Sequence, residues 1–137
     1  MKKLAHQQAG DLGEALALAK LNSLGYAAYA SPTGAPGHDL MVVVNDRALS
    51  VEVKTRQFIN RETEITRWPV LMAAKGDADL FLFVALNITN MAPTFYLLTN
   101  EQARKCHRSD PNRKQSGNCL PSAVRAIVAA NDFGALQ

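Results

Sequence analysis

Two acidic residues and one lysine form the pattern in this chain with the clearest chemical use. Asp39 directly precedes an apolar run, and Glu52 and Lys54 alternate with valines further along. Side chains of a β-strand alternate between its two faces, so Glu52 and Lys54 share one face. Two carboxylates that converge beside an ammonium group can hold a divalent cation and activate water against a phosphodiester.

A β-hairpin is the element that must bring these residues together. The pair Asn45-Asp46 is typical of a tight turn, and the segments on either side have the apolar and alternating patterns of strands. Pairing around this turn places Asp39 opposite Glu52, near the open end of the hairpin. The sequence therefore predicts that both carboxylates and the lysine lie at one point.

Mg²⁺ is the cation that best fits such a site, because it prefers oxygen ligands and keeps several of its waters. Asp39 and Glu52 would supply carboxylates, the Val53 carbonyl would supply a third ligand, and Lys54 would position water or stabilise charge on phosphorus. The alternative is that Asp39 merely ends a loop. In that case Glu52 and Lys54 form an exposed ion pair on an edge strand and nothing is catalysed.

The remaining elements predict an α/β sandwich around a mixed sheet. The apolar run of residues 80–86 has the composition of a central strand covered on both faces. The predicted order is a helix (6–24), a strand (26–30), the hairpin, a polar loop (55–67), a short helix from Trp68-Pro69 to near Lys75-Gly76, two strands (80–86 and 94–98), a helix capped by Thr99 and Gln102 (99–106), a loop (109–118) and a last helix (121–130).

The size and composition of the chain indicate one domain over residues 1–137, with a formal net charge of +3. Its start has two lysines but no uninterrupted apolar run, so we expect neither a signal peptide nor a membrane span, and a cytoplasmic location. Cys106 and Cys119 would then be reduced. With His107 they offer three soft metal ligands but no evident fourth, so two ordinary thiols are the favoured interpretation.

Two basic segments are candidates for contact with nucleic acid. The first contains Arg56, Arg61 and Arg67, and the second, residues 104–114, has five Lys or Arg against one Asp and includes Arg113 and Lys114. Neither has the aromatic spacing of a single-strand stacking platform, so we expect contacts with phosphates rather than bases. The alternative is that both are solvated loops.

Four motifs in order resemble the PD-(D/E)xK, or restriction-endonuclease-like, superfamily. They are a G-x-x-x-E helix from Gly10 to Glu14, an L-x-x-x-G-Y turn from Leu21 to Tyr26, the aspartate in Gly37-His38-Asp39-Leu40, and the E-x-K of Glu52-Val53-Lys54. Within the superfamily the pattern is most similar to small prokaryotic members like the Holliday-junction resolvases. The resemblance covers residues from about 8 to 56, and less clearly the strand at 80–86.

The resemblance implies an α-β-β-β-α-β core and a Mg²⁺-dependent DNA endonuclease, with Mn²⁺ as a substitute and frequent homodimers. Asp39 and Glu52 would bind the metal, Lys54 would be the catalytic lysine, and Glu14 would reach from the first helix toward the metal. The loop serine of junction resolvases has no secure equivalent, with Ser31 and Thr33 as candidates. A second hypothesis is a non-catalytic nucleic-acid-binding or protein-interaction module of a defence, repair or mobile-element system.

Overall fold

The structure is a computed structural model that describes residues 2–32, 39–72, 77–112 and 117–137. This described part has a mixed α/β architecture, as predicted, and none of its helices is both long and apolar enough to cross a membrane. The helices are α1 (His6–Ser23), α2 (Asn100–Cys106) and α3 (Pro121–Ile127). The strands are β1 (Ala27–Ala30), β2 (Leu40–Val44), β3 (Arg47–Phe58), β4 (Trp68–Pro69), β5 (Leu80–Asn87), β6 (Ala92–Thr99), β7 (His107–Ser109) and β8 (Gly117–Cys119).

Five strands form the central sheet, in the order β1-β2-β3-β5-β6. All neighbours in this sheet are antiparallel except β3 and β5, which run parallel. A smaller sheet has the order β4-β8-β7. The first half of the long strand β3 pairs with β2, whereas its second half pairs with β5 on the other side. The second half therefore has one edge that β2 does not cover.

The hairpin of β2 and β3 closes through a two-residue turn. Asn45 and Asp46 have φ values of 51° and 63°, the left-handed conformation that a type I′ turn requires of both central residues. Leu40 lies opposite Val51, which is the register predicted from the sequence.

Helix α1 packs on one face of the central sheet through small side chains. Ala9, Gly13, Ala17 and Leu21 recur every four residues, form one stripe of the helix and are buried. The helix ends where Gly25 adopts a φ of 93° and its N–H donates to the carbonyl of Asn22. The predicted helix is thus confirmed to within one residue at its C-terminal end.

The two faces of the sheet carry two separate apolar cores. Val51 and Val53 of β3 join the core beneath α1, and Phe58 joins the opposite core, which also holds α2 and α3 residues. Trp68 lies fully buried in this second core, stacked on Phe83 at 5.2 Å, and its indole N–H donates to the Val84 carbonyl.

Strand β5 contributes to both cores, as the apolar run predicted. Each residue from Leu80 to Leu86 is buried, and a fully buried aliphatic or aromatic side chain contributes about 1.5–3 kcal/mol of transfer free energy. The predicted cap of α2 is also present, because Thr99 Oγ1 accepts from the Gln102 N–H and Gln102 Oε1 accepts from the Thr99 N–H. Because the buried strand β5 pairs with the second half of β3, it supports β3 along one edge.

The connections differ from prediction in three places. Strand β3 continues to Phe58, so the first residues of the predicted loop at 55–67 lie in the sheet. The helix predicted at Trp68-Pro69 is wrong, because this pair forms β4 and buries its indole; the predicted end at Lys75-Gly76 lies outside the described residues. Part of the predicted loop at 109–118 forms the pair of β7 and β8, and residues 113–116 are also outside the described ranges.

Candidate active site

The predicted site lies on the edge of β3 at the point where β2 begins. The Asp39 N–H donates to the Val51 carbonyl at 2.9 Å, which extends the ladder by one bond. The Oδ2 atom of Asp39 then accepts from the Val53 N–H at 2.8 Å. A carboxylate thus takes the place of the next strand residue. Because the N–H and C=O of such a strand residue point to the same neighbour, the Val53 carbonyl faces the same edge.

Glu52 and Lys54 occupy the face of β3 opposite α1, because the valines that alternate with them belong to the core beneath α1. Glu52 is half-buried, and its Oε2 atom is buried without a hydrogen-bond partner among the described residues. A buried carboxylate oxygen without a donor is costly unless a cation or another donor satisfies it. Within the described structure, Oε2 of Glu52 therefore lacks the cation or hydrogen-bond donor that would compensate for its burial.

Glu14 approaches the same point from α1. The neighbouring Gly13 packs so closely on β3 that a Cβ atom there would lie 1.8 Å from Oγ1 of Thr55. This close contact sets the distance between the helix and the strand. The pKa of Glu14 is raised to about 7. Burial is the main cause, charge and hydrogen bonding with Asp39 contribute to the increase, and the Lys54 ammonium opposes it.

The electrostatics of Glu52 follow the same logic. Burial raises the pKa of Glu52, the Lys54 ammonium lowers it, and the negative charges of Asp39 and Asp77 raise it. Asp39 therefore raises the pKa of both Glu14 and Glu52, and Lys54 lowers the pKa of both. An excess of carboxylate over ammonium favours a bound cation or a bound proton.

The donor set fits Mg²⁺, which needs only one or two protein carboxylates and completes its octahedron with water and substrate oxygens. Asp39, Glu52 and the Val53 carbonyl are the residues that would hold it, and the unsatisfied Oε2 of Glu52 is the observation that favours this fit. No group of three His, Cys, Asp or Glu side chains in the described ranges forms a ready metal-binding cluster. The candidate ligands are therefore two carboxylates and one backbone carbonyl rather than a cluster of three such side chains.

The other predicted residues are distributed around this edge. Arg56 lies on β3, on the same face as Lys54, while Arg61 and Arg67 are exposed in the connection that follows the strand. Arg113 and Lys114 lie outside the described residues. Of the five residues predicted to contact phosphates, Arg56 therefore lies on the same strand as Glu52 and Lys54.

The serine candidates and one unpredicted acid complete the surroundings. The Ser31 N–H donates to the Asp39 carbonyl at 2.9 Å, and the Ser31 hydroxyl is buried without a partner in the described structure; Thr33 lies outside it. Asp77 was not among the predicted site residues, although its charge raises the pKa of Glu52. Its position depends on the parallel pairing of β3 with β5, for which the sequence contains no local signal.

The cysteine and histidine pattern has a structural explanation. Cys106 and Cys119 are free, buried thiols in the second core, and burial raises the pKa of Cys119 to about 12. Nε2 of His107 lies 3.0 Å from the Val70 carbonyl, in the connection after β4. These residues pack the second core and hold its small sheet.

Comparisons with known proteins give a likeness at the level of the fold. No family model and no curated protein sequence matches the chain. Among solved structures, the chain is similar to a bacterial homing endonuclease, I-Ssp6803I, with a TM-score of 0.54 and 16% sequence identity over 82% of this chain and 83% of that one. This likeness shows that the chain shares an α/β fold with that endonuclease.

Proposed function

We propose that this protein is a Mg²⁺-dependent endonuclease of the PD-(D/E)xK type that hydrolyses phosphodiester bonds of DNA. The observation that carries the proposal is the hydrogen bond from the Val53 N–H to Asp39, which holds one carboxylate beside the strand that presents Glu52 and Lys54. The likeness to a homing endonuclease supports the same class of activity at the level of the fold.

Each residue has a distinct role in this mechanism. Asp39, Glu52 and the Val53 carbonyl would hold Mg²⁺, or Mn²⁺ in its place. When bound, the ion would supply positive charge against the scissile phosphate and lower the pKa of a bound water. Lys54 orients the attacking water and stabilises negative charge on the phosphoryl oxygens.

Glu14 acts as a supporting acid that holds a proton or a negative charge next to Asp39, as its raised pKa indicates. In the reaction the water oxygen bonds to phosphorus and one P–O ester bond breaks. The products are a phosphate monoester and a hydroxyl group. Since one copy of the site cuts one strand at a time, we propose that the protein cuts duplex DNA as a homodimer.

The test is incubation of the purified protein with linear, supercoiled and branched DNA, with and without Mg²⁺ or Mn²⁺. Wild-type protein should cut at least one substrate in the presence of metal, and Glu52→Gln should lose this activity. Glu101→Gln is the matched control, because Glu101 is an exposed residue of α2. Cleavage by Glu52→Gln at the wild-type rate would refute the assignment. Absence of cleavage by wild type on every substrate would favour the non-catalytic binding module.

A further inference from the structure

A small polar pocket lies on the uncovered edge of β3, directly after the proposed active site. Its volume is about 80 Å³, and its lining includes Lys3, His6, Arg56, Gln57 and Glu64. A water molecule occupies roughly 30 Å³ in the liquid, whereas pockets for drug-sized ligands are about 300–1,000 Å³. The pocket therefore has room for a small ion or a phosphate group but not for a whole nucleotide.

The N-terminal segment is held against this edge by a specific contact. The Leu4 N–H donates to Oε1 of Gln57 at 2.8 Å, and Nε2 of Gln57 donates to the Leu4 carbonyl at 2.9 Å. The side-chain amide of Gln57 thus forms the two hydrogen bonds to the Leu4 backbone that a neighbouring strand would form. It does so on the part of the β3 edge that β2 does not cover. This contact, between residues 53 positions apart in sequence, is what brings Lys3 and His6 to Arg56.

The pocket contains more hydrogen-bond donors than acceptors. Glu64 is its one acid, and its carboxylate already accepts bonds of 2.9–3.0 Å from the N–H groups of residues 59, 60 and 61. Lys3 adds only an attraction through charge, which helps to lower the pKa of Glu64. Within the described ranges the side chains of Arg56 and His6 form no hydrogen bond and no ion pair. These donors are therefore available to an anion.

The position of Arg56 on β3 indicates which kind of anion the pocket would bind. Arg56 follows Lys54 by two residues on the same face, a separation of roughly 6.6 Å at the usual rise of a strand. This is the order of the spacing between successive phosphates of a nucleic-acid strand. The described residues of the pocket lining include no Phe, Tyr or Trp on which a base could stack.

We propose that this pocket binds the backbone phosphate next to the scissile one, through Arg56, Lys3 and His6. The inference rests on the proposed function, and it assigns the N-terminal segment to substrate binding. His6 is the first residue of α1, so the positive end of the helix dipole adds to the same attraction.

The test is binding of a fluorescently labelled DNA duplex at several salt concentrations, in EDTA so that no cleavage occurs. Each lost phosphate contact lowers the slope of log K against log salt by about 0.9. Arg56→Ala and Lys3→Ala should each weaken binding and lower the slope, and Arg56→Lys should retain most of it. The matched controls are Arg47→Ala, at the other end of β3, and Lys2→Ala, both exposed and outside the pocket lining.

Two outcomes would overturn the proposal. One is a wild-type slope for Arg56→Ala and Lys3→Ala. The other is a slope change accompanied by an equal change in the two controls. A melting experiment with inorganic phosphate is a separate arm. If phosphate raises the melting temperature of wild type but not of Arg56→Ala, and the salt slopes for DNA stay unchanged, the pocket binds free phosphate instead. Because binding is measured without metal, failure of the cleavage assay and failure of this pocket are distinguishable.

Discussion

The Oδ2 atom of Asp39 accepts a hydrogen bond of 2.8 Å from the backbone N–H of Val53, the residue between Glu52 and Lys54. The same carboxylate interacts with Glu14 of α1. Asp39 therefore interacts with both α1 and β3. Its substitution is the most direct test of the site.

Asp39→Asn should abolish stabilisation of the protein by Mg²⁺ or Mn²⁺. A ligand that prefers the native state stabilises it by about 2.7 kcal/mol at 100 times its Kd, so the wild-type melting temperature should rise with metal. Asparagine retains an oxygen that accepts from the Val53 N–H but loses the charge that binds the ion. Calorimetry or dye-based melting with and without metal measures the difference.

Asp79→Asn is the matched control for this experiment. Asp79 also accepts a backbone N–H of β3, that of Ser50, at 2.9 Å, but it is not a proposed metal ligand. Its variant should retain the metal-induced rise. An equal rise in wild type and Asp39→Asn would eliminate the proposed ligand set.

Lys54→Ala should lower the cleavage rate by about 10²–10³-fold, the usual cost of removing one preorganised group that stabilises transition-state charge. Binding of DNA and metal should persist, because Lys54 is assigned to water and phosphate rather than to the fold. Lys105→Ala, on the exposed side of α2, should cut at the wild-type rate. Cleavage by Lys54→Ala at the wild-type rate would exclude the mechanism.

Gly13→Ala should destabilise the fold by about 1–3 kcal/mol, the usual cost of overpacking, because the added Cβ would lie 1.8 Å from Oγ1 of Thr55. Thr55→Ala should recover part of the loss in the double variant. Gly10→Ala is the control in the same helix: its Cβ meets nothing within 4 Å, so stability should increase by roughly 0.5–1 kcal/mol. Urea denaturation measures all four proteins, and a Gly13→Ala variant as stable as Gly10→Ala would contradict the packing argument.

The pH dependence of stability should report the raised pKa of Glu14. Between about 4.5, the ordinary value, and about 7, the folded state keeps a proton that the unfolded chain has lost. Because the native state then binds more protons than the unfolded chain, the free energy of unfolding falls as pH rises through this interval. In metal-free buffer, the stability of wild type relative to Glu14→Gln should therefore decrease from pH 4.5 to 7.

Glu101→Gln serves as the control for this measurement, because Glu101 is exposed on α2 and does not belong to the group formed by Glu14 and Asp39. The raised pKa of Glu52 is common to wild type and Glu14→Gln, so it cancels in the difference. If the difference in unfolding free energy between wild type and Glu14→Gln stayed constant between pH 4.5 and 7, Glu14 would not be buried beside Asp39.

Local patterns were sufficient to predict the elements whose stability is decided by near neighbours. The turn at Asn45-Asp46 predicted the hairpin register, the apolar run predicted β5, and Thr99 with Gln102 predicted the start of α2. In each case the signal and the interaction lie within a few residues. The placement of Asp39 next to the strand of Glu52 and Lys54 follows from the same register.

Distant contacts explain what the sequence did not predict. The pattern at Trp68-Pro69 is compatible with a helix start, but burial of the indole on Phe83 and pairing with β8 override that preference. Strand β3 runs through the polar residues after Lys54 because β5 pairs with it in parallel. The approach of Lys3 to Arg56 depends on a bond between Leu4 and Gln57, and no local pattern indicates such a contact.

The two-residue turn at Asn45-Asp46 also limits how this protein can change through evolution or engineering. Both residues have positive φ, so replacement by glycine preserves the loop length and the register. Insertion or deletion of one residue would shift the pairing by one position and turn each β3 side chain to the other face. Glu52 and Lys54 would then point into the apolar core beneath α1, and Val51 and Val53 would lie where the charged groups are now. We expect natural variants to differ at the turn in residue type but to retain its length.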